Sequence, residues 1–242
     1  MDLDAPVSKA VRHFWRTRAK QAKKQGTVTG QRDAGQRTAV TGGKHLDGFV
    51  DLCRSLLVEA GLKNTDVFWR QRLELPGFFR PEKKWDLLAV REDQLVAVIE
   101  FKAQVGPSFA NNFNNRTEEA LGNATDLWAA YREGAFKPSA RPWLGYLFLL
   151  EECEKSLAPV NVKEPHFGVF PEFHAASYAK RYEILLLKLL RERLYDGASL
   201  LLSTKRGGLR GEASSPNDEL SFRTFAASLV GHASAFAKMR KE

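Results

Sequence analysis

The run "QLVAVIEFKAQVG", Gln94 to Gly106, is apolar almost throughout and then carries Glu100 and Lys102, one residue apart. Val, Leu, Ile and Phe at this density suit a buried strand. Side chains alternate across a strand. Glu100, Lys102 and Gln104 are therefore expected on one face with Val96 and Val98, and Leu95, Ala97, Ile99 and Phe101 on the other. A charge in apolar surroundings must find a partner or a metal. Three readings are open: an ion pair, a solvated strand end, or half of a catalytic site.

The run before it, Trp85–Arg91, is separated from it only by Glu92-Asp93. The two read as a hairpin, although Glu-Asp is not a favoured two-residue turn. In a hairpin the start of one strand lies near the end of the other, which brings Asp86 to Glu100 and Lys102. Two carboxylates beside a lysine suit phosphodiester cleavage. Asp86 and Glu100 offer hard oxygen ligands to Mg²⁺, and the Phe101 backbone carbonyl between the two side chains is a further candidate ligand. Such a metal activates water and offsets charge on phosphorus. Lys102 would orient or help deprotonate the water, or stabilise the developing charge. A Glu-x-Lys triplet is common in itself. Glu82-Lys83-Lys84, with Asp66 upstream, is a rival, but it follows Pro81 in "FFRPEKK" and reads as a polar turn.

Around this hairpin the periodicity predicts a helix over Ser8–Gln25, with Ser8 as its cap and Val11, Phe14, Trp15 and Ala19 as its apolar stripe. Residues 26–43 read as a long loop. Next come a helix over 44–60 stopped by Gly61, a strand over Asp66–Leu75, the hairpin, and a helix over 115–132 capped by Asn115. A strand over 142–150 and an irregular, proline-bearing connection over 154–176 follow. A helix ending at Gly197, a short strand Ser199–Ser203, a basic Gly-rich loop "TKRGGLRGE" and a helix Asp218–Met239 complete the chain.

The net charge is +8, and residues 1–45 hold ten basic against three acidic side chains, a net +7. A phosphate backbone is the partner that best matches such a concentration. Two cysteines make neither a disulfide framework nor a zinc spacing. Cys53 falls in a helical apolar pattern and reads as core. No apolar run is long enough for a membrane span and no secretory signal begins the sequence, so a cytoplasmic setting is expected. The five histidines show no ligand spacing.

The order αβββαβ over 44–150, with Asp86, thirteen intervening residues and Glu100-Phe101-Lys102, resembles the core of the PD-(D/E)xK nucleases. Trp85 stands where that motif has proline. The segments "AVRHFWRTR", "AVTGGKHLDGF", "FRPEKKWDLL", "EFKAQVGPSFANNFNNRTEEA", "DLWAAYREGAF", "PHFGVFPEF" and "SFRTFAASLVGH" are similar to the XhoI family of type II restriction endonucleases over nearly the whole chain. The resemblance implies an α/β fold, a mixed sheet flanked by helices, with extra N- and C-terminal helices. With no internal repeat and no low-complexity linker, the chain reads as one domain: a basic arm over 1–43, a catalytic core over 44–150 and a helical extension over 151–242. The resemblance further implies a Mg²⁺-dependent homodimer that cuts both strands of double-stranded DNA at the palindrome CTCGAG, after the first C, and a separate DNA methyltransferase that protects the host.

Further residues carry expectations. Asp47 is either an accessory acid of the site, as the superfamily adds from this helix, or a first-turn acid favoured by the helix dipole. Gln104 either touches the scissile phosphate or a base, or is solvated. Asn111, Asn112, Asn114, Asn115 and Arg116 either bind DNA or supply turn and cap chemistry. Lys205, Arg206 and Arg210 are expected to hold phosphate. The alternatives to a restriction enzyme are a structure-specific or repair nuclease on the same fold and a non-catalytic DNA-binding regulator.

Overall fold

In a computed structural model of the chain, residues 2–28 and 44–239 are described, so most of the expected 26–43 loop lies outside the described residues. The helices are α1 (Asp4–Val28), α2 (Asp47–Glu59), α3 (Phe109–Arg132), α4 (Glu154–Leu157), α5 (Tyr178–Arg191), α6 (Lys205–Arg210) and α7 (Phe222–Met239). The strands are β1 (Val67–Phe68), β2 (Glu74–Pro76), β3 (Glu82–Lys84), β4 (Leu87–Arg91), β5 (Gln94–Gln104), β6 (Trp143–Glu151) and β7 (Gly197–Ser203).

The main sheet is mixed, in the order β1-β4-β5-β6-β7. β4 pairs antiparallel with β1 and with β5, while β6 pairs parallel with β5 and with β7 through helical crossovers. Both faces are covered, as a sheet with parallel strands requires. Phe14, Trp15, Phe49, Leu57, Phe225 and Leu229, from α1, α2 and α7, fill one face, and Ala124, Leu127, Tyr182 and Leu186, from α3 and α5, fill the other. The sheet therefore includes β7, from the C-terminal segment, and α1 supplies core side chains.

The β4–β5 hairpin forms as expected, and Glu92 and Asp93 both take positive φ (52° and 60°), the geometry a two-residue turn demands of its central pair. The pairing shifts register between Ala89 and Val90: Ala89 faces Ala97, but Val90 faces Leu95. Val96 is the extra residue of a bulge, so Leu95 and Val96 exchange faces relative to strict alternation. Beyond the bulge Ala97, Ile99 and Phe101 share one core and Val98 joins the other, and alternation puts Glu100 and Lys102 on the Val98 side of the strand.

Other expectations are corrected. α1 begins at Asp4, where the Leu3 carbonyl accepts from Val7 N (2.9 Å), so Ser8 lies inside the helix and does not cap it. The expected strand Asp66–Leu75 breaks in two, because Arg72 takes the left-handed conformation (φ 59°). Its second piece, β2, pairs with β3, so Glu82-Lys83-Lys84 is a strand and not a turn. α3 starts at Phe109, six residues before the expected Asn115 cap. Phe109 stacks on Tyr178 and Phe113 meets Tyr182 edge-on, and this aromatic packing extends the helix through a run of asparagines that favours turns. The basic Gly-rich stretch is the short helix α6, capped by Thr204, whose side chain accepts from Gly207 N (2.9 Å).

Candidate active site

β5 outruns its antiparallel partner. β4 begins at Leu87, opposite Ile99, so Phe101 has no backbone partner on that edge. The Asp86 side chain takes the place: its Oδ2 accepts from Phe101 N at 2.8 Å. A strand residue directs its N–H and C=O to the same edge, so the Phe101 carbonyl also points to the side where Asp86 lies. The hairpin thus brings together what its register promised.

Glu100 projects from the same end of β5 into the interface with α3 and is 1% exposed. Its Oε1 lies 2.6 Å from Lys102 Nζ and 3.4 Å from Lys83 Nζ. Asn123 of α3 donates Nδ2 to Oε1 (3.1 Å) and Oε2 (2.9 Å). Burial alone would raise this carboxyl, but Lys102, Lys83 and the Asn123 amide together hold it below the ordinary range. Asp86 is raised, chiefly by burial, with Lys102 and the Phe101 N–H offsetting only part. Burial pulls the Lys102 ammonium down, yet Glu100 and Asp86 outweigh it and hold it above the ordinary lysine range. Lys83 goes the other way: burial outweighs its attraction to Glu100 and lowers it.

Asp86, Phe101 and Lys102 open onto a cleft of about 550 Å³. Lys44, Arg70, Lys84, Lys102 and Arg116 line it against two carboxylates, Asp47 and Asp86, a balance that favours a polyanion. Asp47 is the first residue of α2, and burial raises its carboxyl despite His13 nearby. His45, on the same wall, is pushed down to about 4 by burial and by Arg18 and His13.

The remaining candidates divide. Gln104 is 3% exposed, with Nε2 donating to the Ser108 carbonyl (3.0 Å) and Oε1 accepting from the Tyr182 hydroxyl. It stands outside the cleft and is not solvated. Asn111, Asn114 and Asn115 lie exposed on the first turns of α3, while Asn112 donates to the Ser108 carbonyl and Arg116, paired with Glu119, reaches the cleft. Lys205 and Arg206 are exposed on α6, and Arg210 pairs with Glu212 (2.6 Å). The α6 glycines serve close approach: a Cβ on Gly208 would lie 1.9 Å from the Trp15 ring. Lys83 and Asn123 were not foreseen. Lys83 sits 4.2 Å from the Trp85 ring centre, and its alternation with Glu82 and Lys84 was the available signal.

Asp86, Glu100 and the Phe101 carbonyl are hard oxygen donors, the set that Mg²⁺ takes alongside waters and substrate phosphate. Among the described residues no three His, Cys, Asp or Glu side chains cluster as a metal cage. Asp86 and Phe101 open onto the cleft, while Glu100 is buried with its oxygens held by Lys102, Lys83 and Asn123, so an ion here would draw most of its shell from water and substrate.

The sequence matches the family described as "Restriction endonuclease XhoI" over residues 23–215. It is 52% identical over 213 residues to "Type II restriction enzyme BstVI" of Geobacillus stearothermophilus, covering 86% of this chain and 95% of that protein. It is 48% identical over 158 residues to "Type II restriction enzyme XhoI" of Xanthomonas vasicola, covering 64% of each. "Type II restriction enzyme AbrI" of Azospirillum brasilense is 46% identical over 167 residues, covering 69% of this chain and 74% of that one. No solved structure matches the chain.

Proposed function

Because this chain belongs to the XhoI restriction endonuclease family and is a site-specific deoxyribonuclease, we propose that it cuts both strands of CTCGAG with Mg²⁺ through Asp86, Glu100 and Lys102. The core is read as a PD-(D/E)xK nuclease core. The observation that carries the reading is the meeting of Asp86, Phe101 and Lys102 on a basic cleft at the free end of β5, with Glu100 buried against Lys102.

Asp86 and Glu100, with the Phe101 carbonyl, would hold the Mg²⁺. When bound, the ion supplies Lewis-acid polarisation of the scissile phosphate. Asp86 Oδ2 also fixes the Phe101 peptide, which sets the direction of the carbonyl. Lys102, whose Nζ lies 2.6 Å from Glu100 Oε1, would place a positive charge beside the reacting phosphate. The cleft cations Lys44, Arg70, Lys84 and Arg116 hold the flanking backbone. The exposed amides Asn111, Asn114 and Asn115 lie on one helical face suited to base edges, while Lys205 and Arg206 lend charge. A palindrome calls for two symmetry-related copies, so the active species is read as a homodimer, partnered in the cell by a methyltransferase that modifies the same site.

Incubating the protein with methylated and unmethylated plasmid, in Mg²⁺ or EDTA, tests this. Discrete fragments are expected only from unmethylated DNA with Mg²⁺. Ragged cutting independent of sequence would favour the repair-nuclease alternative, and binding without cutting under every divalent metal would sink the nuclease reading.

A further inference from the structure

Glu100 is held by an amide whose own direction is not free. Asn123 is 7% exposed and faces Glu100 with its Nδ2. Its Oδ1 accepts from Arg80 Nη2 at 2.9 Å. A guanidinium only donates, and an ionised carboxylate only accepts. Arg80 therefore dictates which end of the amide meets Glu100, and a flipped Asn123 would set donor against donor and acceptor against acceptor.

Arg80 is fixed in turn. Its Nε lies 2.7 Å from Asp126 Oδ2, and Asp126 Oδ1 accepts from Phe78 N and Phe79 N at 2.8 Å each. Asp126 sits one helical turn beyond Asn123 on α3, and both side chains are buried. The tip joining β2 to β3 closes over it so tightly that a Cβ on Gly77 would lie 2.6 Å from Asp126 Oδ2. A single acid thus pins the hairpin tip to α3 and orients the arginine.

We infer that Asn123 is a positioning residue for Glu100, with its amide direction set by Arg80 and Arg80 set by Asp126. The inference rests on the reading of Glu100 as a metal-holding carboxylate. Hydrogen bonds to a ligating carboxylate fix its orientation, and their loss typically costs about 10–100-fold in metal affinity or activity. The Asn123 amide donates to both Glu100 oxygens, so it fixes the direction in which the carboxylate would be presented to an ion.

The test is calorimetric titration of Mg²⁺ into the full-length protein bound to a duplex whose scissile linkages are uncleavable, together with duplex affinity in EDTA. Asn123→Ala is expected to weaken Mg²⁺ binding by about 10–100-fold with duplex affinity unchanged. Arg80→Met, which leaves Asp126 its two backbone donors, is expected to move Mg²⁺ binding in the same direction by less. Wild-type Mg²⁺ affinity in folded Asn123→Ala, or a loss confined to duplex affinity, would overturn the inference. Should Asn123→Ala fail to fold, wild-type Mg²⁺ affinity in Arg80→Met overturns it instead. Glu100→Ala separates the two readings: if it keeps wild-type Mg²⁺ affinity, the assignment of Glu100 to the metal is what fails.

Discussion

Glu100 is a buried anion with three donors, and that surplus decides what each substitution does. Removing one partner of a buried pair normally strands the other charge at a cost of several kcal/mol. Lys102→Met leaves Glu100 still held by Lys83 and Asn123, so the fold is expected to survive. Cleavage should fall by about 10²–10³-fold, as when one fixed stabiliser of transition-state charge is lost. Single-turnover cleavage alongside far-ultraviolet circular dichroism checks both halves, and an unfolded variant would favour a purely structural ion pair. His45 carries a second consequence. Its folded pKa of about 4 lies below the ordinary 6.5, so the unfolded chain binds the extra proton first. Stability is then complete above pH 6.5 and is lost as pH falls towards 4, by roughly 3 kcal/mol at most. His45→Gln should flatten urea-derived stability across that window, and an unchanged slope would clear His45 of the role. That Asp86, Glu100 and Lys102 would come together was legible because strand alternation and the hairpin register are rules of backbone geometry. Gln104 was misjudged since the same alternation cannot say that Tyr182 covers the face. Lys83 was missed because three charged residues after a proline look solvated until β2 pairs with them.

Elements divide in the same way. The hairpin and the apolar β6 could be read directly, since their patterns are set locally. The start of α3 could not, because Phe109 and Phe113 find Tyr178 and Tyr182 on α5, some seventy residues further along. α6 is the clearest case. Two glycines among basic residues suggest a phosphate cradle, yet their space is taken by Trp15, Thr204 and Glu212. Trp15 also donates to Ser203 Oγ at 3.0 Å, which ties α1 to the end of β7. Gly208→Ala is therefore expected to destabilise the protein by about 1–3 kcal/mol through overpacking. Lys205→Ala should leave stability unchanged and weaken DNA binding, with a shallower salt dependence. Chemical denaturation and salt-dependent DNA titration separate the two, and a Gly208→Ala variant of wild-type stability would contradict the packing role.

Assembled, the chain is a five-stranded mixed sheet covered on both faces, with the free end of its longest strand at a basic cleft. The order of elements made this architecture readable, but the division of the chain into arm, core and extension did not anticipate how the ends are used. α1 buries Phe14 and Trp15 in the same core as α2 and α7, and β7 completes the sheet. No helix among the described residues is long and apolar enough to cross a membrane. On the proposed reading, this scaffold fixes Asp86, Glu100 and Lys102 relative to a bound polyanion. Single-turnover cleavage of a duplex with one central CTCGAG, by wild type and by Asp86→Asn, with Mg²⁺ and with EDTA, puts this to the test. Wild type with Mg²⁺ should cut both strands within the site, while EDTA or Asp86→Asn should abolish cutting without abolishing binding. Cutting at the wild-type rate by Asp86→Asn, or in EDTA, would contradict the assignment.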